Sequence, residues 1–108
     1  MARTRAMSFG GVAILHAIAD GRSFGFDIMD ATGLTSGTVY PTLDRFEEAR
    51  LVRSHWEDAR IAHREGRPPR RYFTLTPAGA EALSDGLRRF KSLRPVAIGD
   101  YGGRAGRR

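Results

Sequence analysis

Between Leu34 and Val52 the chain reads LTSGTVYPTLDRFEEARLV, and Val39, Leu43 and Phe46 recur at the i, i+4, i+7 spacing of one helix face. Thr35, Ser36 and Gly37 open the stretch with small residues suited to a helix start, where a side-chain oxygen can cap orphan backbone N–H groups. Pro41 falls early in that helix, where its ring removes few or no intrahelical bonds, the number depending on whether Ser36 or Thr38 is the cap. Thr38, Tyr40, Thr42 and Arg45 point away from the apolar stripe. A hydrogen-bonding face at the N-terminal end of a short helix suits the reading of a nucleic-acid groove, although an ordinary amphipathic helix with a solvated face shares the same local pattern.

The flanking pattern surrounds this helix with others. Residues 8–20 carry Phe9, Val12, Ala13, Leu15, Ile18 and Ala19 behind a capping Ser8, an apolar surface wider than one core face needs. Such a helix has to meet two partners, of which one can be the domain core and the other a second subunit. Ser23 is placed to cap a second, shorter helix over 25–31, with Phe24, Ile28 and Ala31 on one face and Gly33 as its C-terminal stop. A helix, a short glycine turn and a helix make a helix-turn-helix. The period then changes: residues 51–57 and 71–76 read as short strands. The basic segment 58–70 between them, with Arg60, Arg64, Arg67 and Arg70, contains Gly66, Pro68 and Pro69, which limit regular structure. Two strands joined by a basic loop directly after a helix-turn-helix predict a winged helix. Thr76-Pro77 starts a last helix running to about residue 93, in which Ala80, Leu83, Leu87 and Phe90 follow the rhythm of a coiled-coil seam. That seam predicts a dimerisation helix lying against the first helix of a partner; the simpler use is to cover its own domain's core.

The expected class is therefore mainly α with a small β-wing, organised as a basic arm (1–7), a winged helix-turn-helix (8–76), a dimerisation helix (77–94) and a basic tail (95–108). Composition narrows the partner. In 108 residues there are 18 Lys and Arg against 12 Asp and Glu, a net charge of +6, which points to a polyanion, nucleic acid before an anionic membrane surface. Every basic residue except Lys91 is arginine, whose planar fork matches phosphate and guanine edges; GC-rich coding also favours arginine. Cysteine is absent, which removes disulfides, thiolate metal sites and a cysteine nucleophile. No apolar run reaches membrane-spanning length and the N-terminus lacks a secretory pattern, so a cytoplasmic, nucleoid-associated protein is expected.

At several places together the chain resembles PadR-type transcriptional regulators, which are winged-helix repressors. The matching pieces are AIADG at 17–21 with GFDI at 25–28, GTVYPTL at 37–43, Leu51-Val52 with Trp56, and GRPPRRYFTLTPAG at 66–79, covering roughly residues 9–87. The sequence departs from the family at Phe26, where tyrosine is common, and at Pro69, an extra residue in the wing element. The single short C-terminal helix resembles the family's compact subgroup. The resemblance implies a two-fold dimer reading a pseudo-palindrome, with Thr38, Tyr40 and Pro41 facing DNA. Ser36, Thr42 and Arg45 join them from the side-chain inventory, and Arg67, Arg70 and Arg71 are the expected wing contacts to phosphate. Phe9, Val12, Leu83, Leu87 and Phe90 are the expected dimer interface. The resemblance also implies a small-molecule effector, with Phe9, Leu87 and Phe90 able to line its pocket.

Enzyme chemistry is disfavoured. His16, His55 and His63 are not at metal-ligand spacing, and neither a Gly-x-Ser-x-Gly nor a phosphate loop is present. His16 reads as a packed histidine, and no cofactor is called for. The rival classes are a nucleic-acid binder without sequence preference and a winged helix that contacts other proteins. An arginine-filled wing argues against the latter.

Overall fold

The computed structural model describes residues 7–93, so the arm (except for Met7) and the tail lie outside the described residues. The elements run α1 (Phe9–Ala19), α2 (Gly25–Thr32), α3 (Ser36–Glu48), β1 (Val52–Trp56), α4 (Ala59–Arg64), β2 (Arg71–Leu75) and α5 (Pro77–Leu93). Helical chain with one two-stranded antiparallel sheet is the winged helix-turn-helix class expected from the pattern.

Helix α1 begins where Ser8 accepts a hydrogen bond from the Gly11 N–H, and Gly11 to Leu15, Ala17 and Ile18 are all buried. Its two apolar sides are both used within the chain: α2 and β2 pack on one side, α5 on the other. The contact with α5 is close because Gly86 faces Val12, where a Cβ would meet a Val12 methyl at 2.5 Å. His16, expected to be packed, is instead exposed on the narrow solvated side of α1.

Helix α2 ends as the glycine rule predicts, with Gly33 at φ 75° in the left-handed region. Its start differs from expectation. Phe24, not Ser23, is the N-cap, and no side chain caps the helix. The reason is that residues 23 and 24 are extended against the sheet: the Phe73 N–H donates to the Ser23 carbonyl at 2.7 Å, and Phe24 bridges Tyr72. The backbone that would turn into a cap is already paired with β2 through this isolated bridge.

The sheet register pairs Val52 with Leu75, Ser54 with Phe73 and Trp56 with Arg71. These residues share the face turned to the helices, while Arg53, His55, Tyr72 and Thr74 alternate onto the other face. The linking segment is not the irregular loop expected from its glycine and prolines. It contains α4, capped by Asp58, whose carboxylate accepts from the Arg60 N–H. Gly66, Pro68 and Pro69 come only after this short helix has ended.

Thr76 ties α5 to the turn that follows α3. Its hydroxyl donates to the Arg50 carbonyl at 2.7 Å and accepts from the Gly79 N–H at 3.0 Å, while its own N–H donates to the Leu51 carbonyl. Arg50 adopts a left-handed φ of 64° in this turn. Gly79 lies directly against the Leu51 carbonyl, with no room for a Cβ. Gly79→Ala is therefore expected to lower stability by about 2 kcal/mol or more, because backbone must move to admit the methyl. Gly37→Ala, in open space on an exposed helix, should instead be neutral or stabilising by up to about 1 kcal/mol. Urea unfolding of both variants checks the pair.

Candidate nucleic-acid interface

Helix α3 is held by a buried stripe of Val39, Thr42, Leu43 and Phe46. Its first turn is left open. Thr35 is the N-cap but makes no side-chain cap bond, and the Thr38 and Val39 N–H groups both turn back to its carbonyl. The N–H groups of Ser36 and Gly37 have no acceptor among the described residues, and Ser36, Gly37, Thr38, Tyr40 and Pro41 are all exposed. Free amides at the positive end of a helix dipole suit an anion such as a phosphate. With Thr35 as the cap, Pro41 lies deeper than either expected start would place it. It removes the hydrogen bond that the Gly37 carbonyl would otherwise accept.

Tyr40 is 41% exposed and lies across Gly25 of α2. A side chain at position 25 would collide with the Tyr40 ring and hydroxyl, so the glycine at the start of α2 sets where Tyr40 sits. Thr42 has to be corrected. It is 6% exposed, and its hydroxyl accepts from the Arg45 guanidinium at 3.2 Å. It stands three residues after Val39 and four before Phe46, inside the buried stripe, and is not presented to a ligand. Arg45 remains exposed beside it.

The wing arginines are occupied in ways the sequence did not reveal. Arg67 grips both Glu57 oxygens, at 2.7 and 2.8 Å, and also reaches Glu65. Its side chain is only 20% exposed and that of Glu57 only 7%. The same carboxylate accepts from the Arg70 N–H at 3.1 Å, so this clasp closes the segment containing α4. The Arg67 fork holds the Glu57 carboxyl at about 2, well below its usual 4.5, assisted by the Arg70 backbone. Arg70 itself stacks over the Phe24 ring at 4.0 Å. Arg71 turns inward to Glu47 of α3, with Asp44 at 3.6 Å, and donates to the Ser54 hydroxyl at 3.2 Å. The expected phosphate roles of Arg67 and Arg71 are thus filled by carboxylates of the same chain.

The cations left open on this side are Arg53 and Arg64. Both are exposed, and neither side chain makes a hydrogen bond or ion pair with another described residue. The signal for Arg53 was the strand alternation, which puts it on the outer face of β1 beside Thr74. Trp56, at the end of β1, is 66% exposed. His55 lies against the Tyr72 ring at 5.6 Å. No group of His, Asp and Glu able to hold a metal occurs among the described residues. Likewise, no described helix is long and apolar enough to cross a membrane.

The five residues expected at a dimer interface are packed within the single chain. Val12 and Leu83 belong to its own core, Leu87 and Phe90 are partly buried against that core, and Phe9 meets Phe90 edge-to-face at 5.1 Å. In this chain α5 therefore covers the chain's own α1, the simpler of its two expected uses.

Comparison with known proteins places these features in a family. The model described as the transcriptional regulator PadR-like family matches residues 14–85. No curated protein gives a significant match. Among solved structures, a PadR-like transcription factor of Bacteroides fragilis is similar with a TM-score of 0.64 and 22% identity, over 82% of this chain and 85% of that one. A PadR family transcription regulator of Clostridium difficile is similar with a TM-score of 0.66 and 21% identity, over 85% and 100%. The protein smu.1704 of Streptococcus mutans is similar with a TM-score of 0.69 and 20% identity, over 94% and 96%. At these identities the structures establish the shared fold.

The Glu57 clasp predicts an acid sensitivity. Because the folded state lowers the carboxyl's pKa, its stabilisation is complete above the ordinary value of 4.5 and is lost as pH falls towards about 2. Glu57→Gln should be less stable than the natural chain near neutrality, and the gap between their urea midpoints should close between those two pH values.

Proposed function

The chain belongs to the PadR-like family of transcriptional regulators, and from that premise we propose that it binds a pseudo-palindromic operator in duplex DNA as a homodimer and acts as a repressor. The observation that carries this reading is the open first turn of α3. Exposed Ser36, Thr38, Tyr40 and Pro41 stand there beside two amides without acceptors. In the major groove the amides and hydroxyls would fix register on phosphate, and Tyr40 would meet base edges. Arg45 lies in the last turn of the same helix and is exposed. Arg53 and Arg64 of the wing would supply contacts to the neighbouring backbone. Asp44 and Glu48 lie further along the exposed face of α3 and would repel phosphate, which favours docking by the tip of the helix over docking along its length.

A two-fold dimer would present two such turns to half-sites about one helical turn, or a multiple of it, apart. A small-molecule effector would find room in the groove of about 1060 Å³ between α1, α3 and α5, whose walls include Met7, Gly11, Phe46 and Ala82.

The test begins with a duplex selected by the full chain from a random library, compared with its shuffled counterpart by fluorescence anisotropy at several salt concentrations. Preference for the selected duplex by about a thousandfold or more is expected, with a salt slope reflecting several phosphate contacts. Equal affinity for both duplexes would identify a binder without sequence preference. Tyr40→Ala should reduce the preference while leaving light-scattering mass and melting temperature unchanged; unfolding would mean that Tyr40 serves the packing against α2. Leu87→Glu with Phe90→Glu should yield monomers that keep their helical circular-dichroism signal and bind the selected duplex weakly; loss of that signal would mean that the pair serves the chain's own α1, and an unchanged dimer mass would move the interface elsewhere.

A further inference from the structure

A wing is useful to a groove-reading helix only if the angle between them is fixed. Among the described residues the polar ties from β1 and β2 to α3 centre on Glu47, with Asp44 3.6 Å from the Arg71 guanidinium beside them. Glu47 receives the Arg71 guanidinium on one carboxylate oxygen and the Ser54 hydroxyl on the other, at 2.7 Å. Arg71 in turn donates through Nε to the same Ser54 hydroxyl at 3.2 Å. The three residues come from α3, β1 and β2. The Arg71 guanidinium also lies over the Phe73 ring at 5.1 Å, and Phe73 is anchored in the core. Glu47 and Arg71 are each only about one-third exposed, at 36% and 33%.

We propose that the Glu47–Ser54–Arg71 ring is a positioning device that sets the wing against the reading helix, making Arg71 a determinant of operator selectivity without itself contacting DNA. The proposal rests on the DNA-binding reading above and goes beyond it by assigning a role to residues that touch no phosphate. Its physical basis is the geometry of a shared hydroxyl. Ser54 both donates and accepts, so all three groups must hold their places for the ring to close. A partly buried ring of charge-assisted bonds resists small rotations better than a single exposed ion pair, which contributes little.

The test is a double-mutant cycle with Glu47→Gln, Arg71→Gln and the combined variant, read on the selected and shuffled duplexes across salt concentrations. Each single change should lower the ratio of selected to shuffled affinity by roughly tenfold, and the double variant should be no worse than either single. The salt slope of Arg71→Gln should match that of the natural chain. Glu47→Gln should bind the shuffled duplex more tightly, because the Arg71 charge is no longer paired with Glu47. Arg71→Lys, which keeps the charge but loses the planar fork that spans Glu47 and Ser54, should restore the ratio only in part.

Amide hydrogen exchange on the DNA-free variants separates this proposal from the reading it rests on. Exchange should quicken in residues 52–56 and 71–75 while α1 keeps its protection; acceleration everywhere would mean general destabilisation and would overturn the positioning role. A slope lowered by about 0.9 in Arg71→Gln, with Glu47→Gln silent, would make Arg71 an ordinary phosphate contact and overturn the proposal. Normal selectivity in both variants would do the same while leaving the DNA reading intact. Failure of the natural chain to bind any selected duplex would sink that reading and this proposal together.

Discussion

Helix α1 has almost no solvated side, and the rest of the structure follows from that constraint. A helix buried from Gly11 to Leu15 and again at Ala17 and Ile18 cannot exist without cover. The fold provides it from α2 and β2 on one side and α5 on the other. Each fully buried aliphatic side chain, such as Ile14 or Leu15, contributes about 1.5–3 kcal/mol. Holding α2 and β2 against one surface places α3 and the wing on the same scaffold. Thr76 then joins α5 to the turn leaving α3, so the covering helix and the reading helix are fixed by one hydroxyl.

Charge is distributed on this scaffold in a way that a residue count does not convey. A net charge of +6 implies a basic surface, yet Arg67 and Arg71 are held by Glu57 and Glu47. In the wing, arginine acts first as an internal fastener, closing the α4 segment at one end and tying the strands to α3 at the other. Among the described residues, donors open to an outside anion include the amides at the tip of α3 and the side chains of Arg53 and Arg64. On the proposed reading, geometry falls to the clasped arginines and phosphate contact to the open ones.

Much of the fold was legible because its signals are local. Ser8 and Thr76 cap helices where their sequence positions predict, Gly33 ends α2, and the switch to alternation marks both strands. The failures have specific causes. Ser23 resembled a cap, but its backbone is drawn into the sheet by Phe73, a partner fifty residues away in the chain. Helix α4 is masked in the sequence by Gly66 and two prolines, although Asp58 ahead of Ala59 is a start signal. Thr42 shares its chemistry with Thr38 and Tyr40, but its position between Val39 and Phe46 puts it in the buried stripe. The partners of Arg67 and Arg71 lie 10 and 24 residues away in sequence, and only the folded chain brings them together.

On the proposed reading the tip of α3, with the open face of the wing, meets the nucleic acid while the arginine clasps stay closed. An amide chemical-shift titration of the natural chain with its selected duplex reports that contact residue by residue. The largest changes are expected at Ser36, Gly37, Thr38 and Arg53, with the Glu57-bonded Arg70 amide little moved. Changes concentrated on α5, or a large movement of the Arg70 amide with the α3 tip silent, would contradict it.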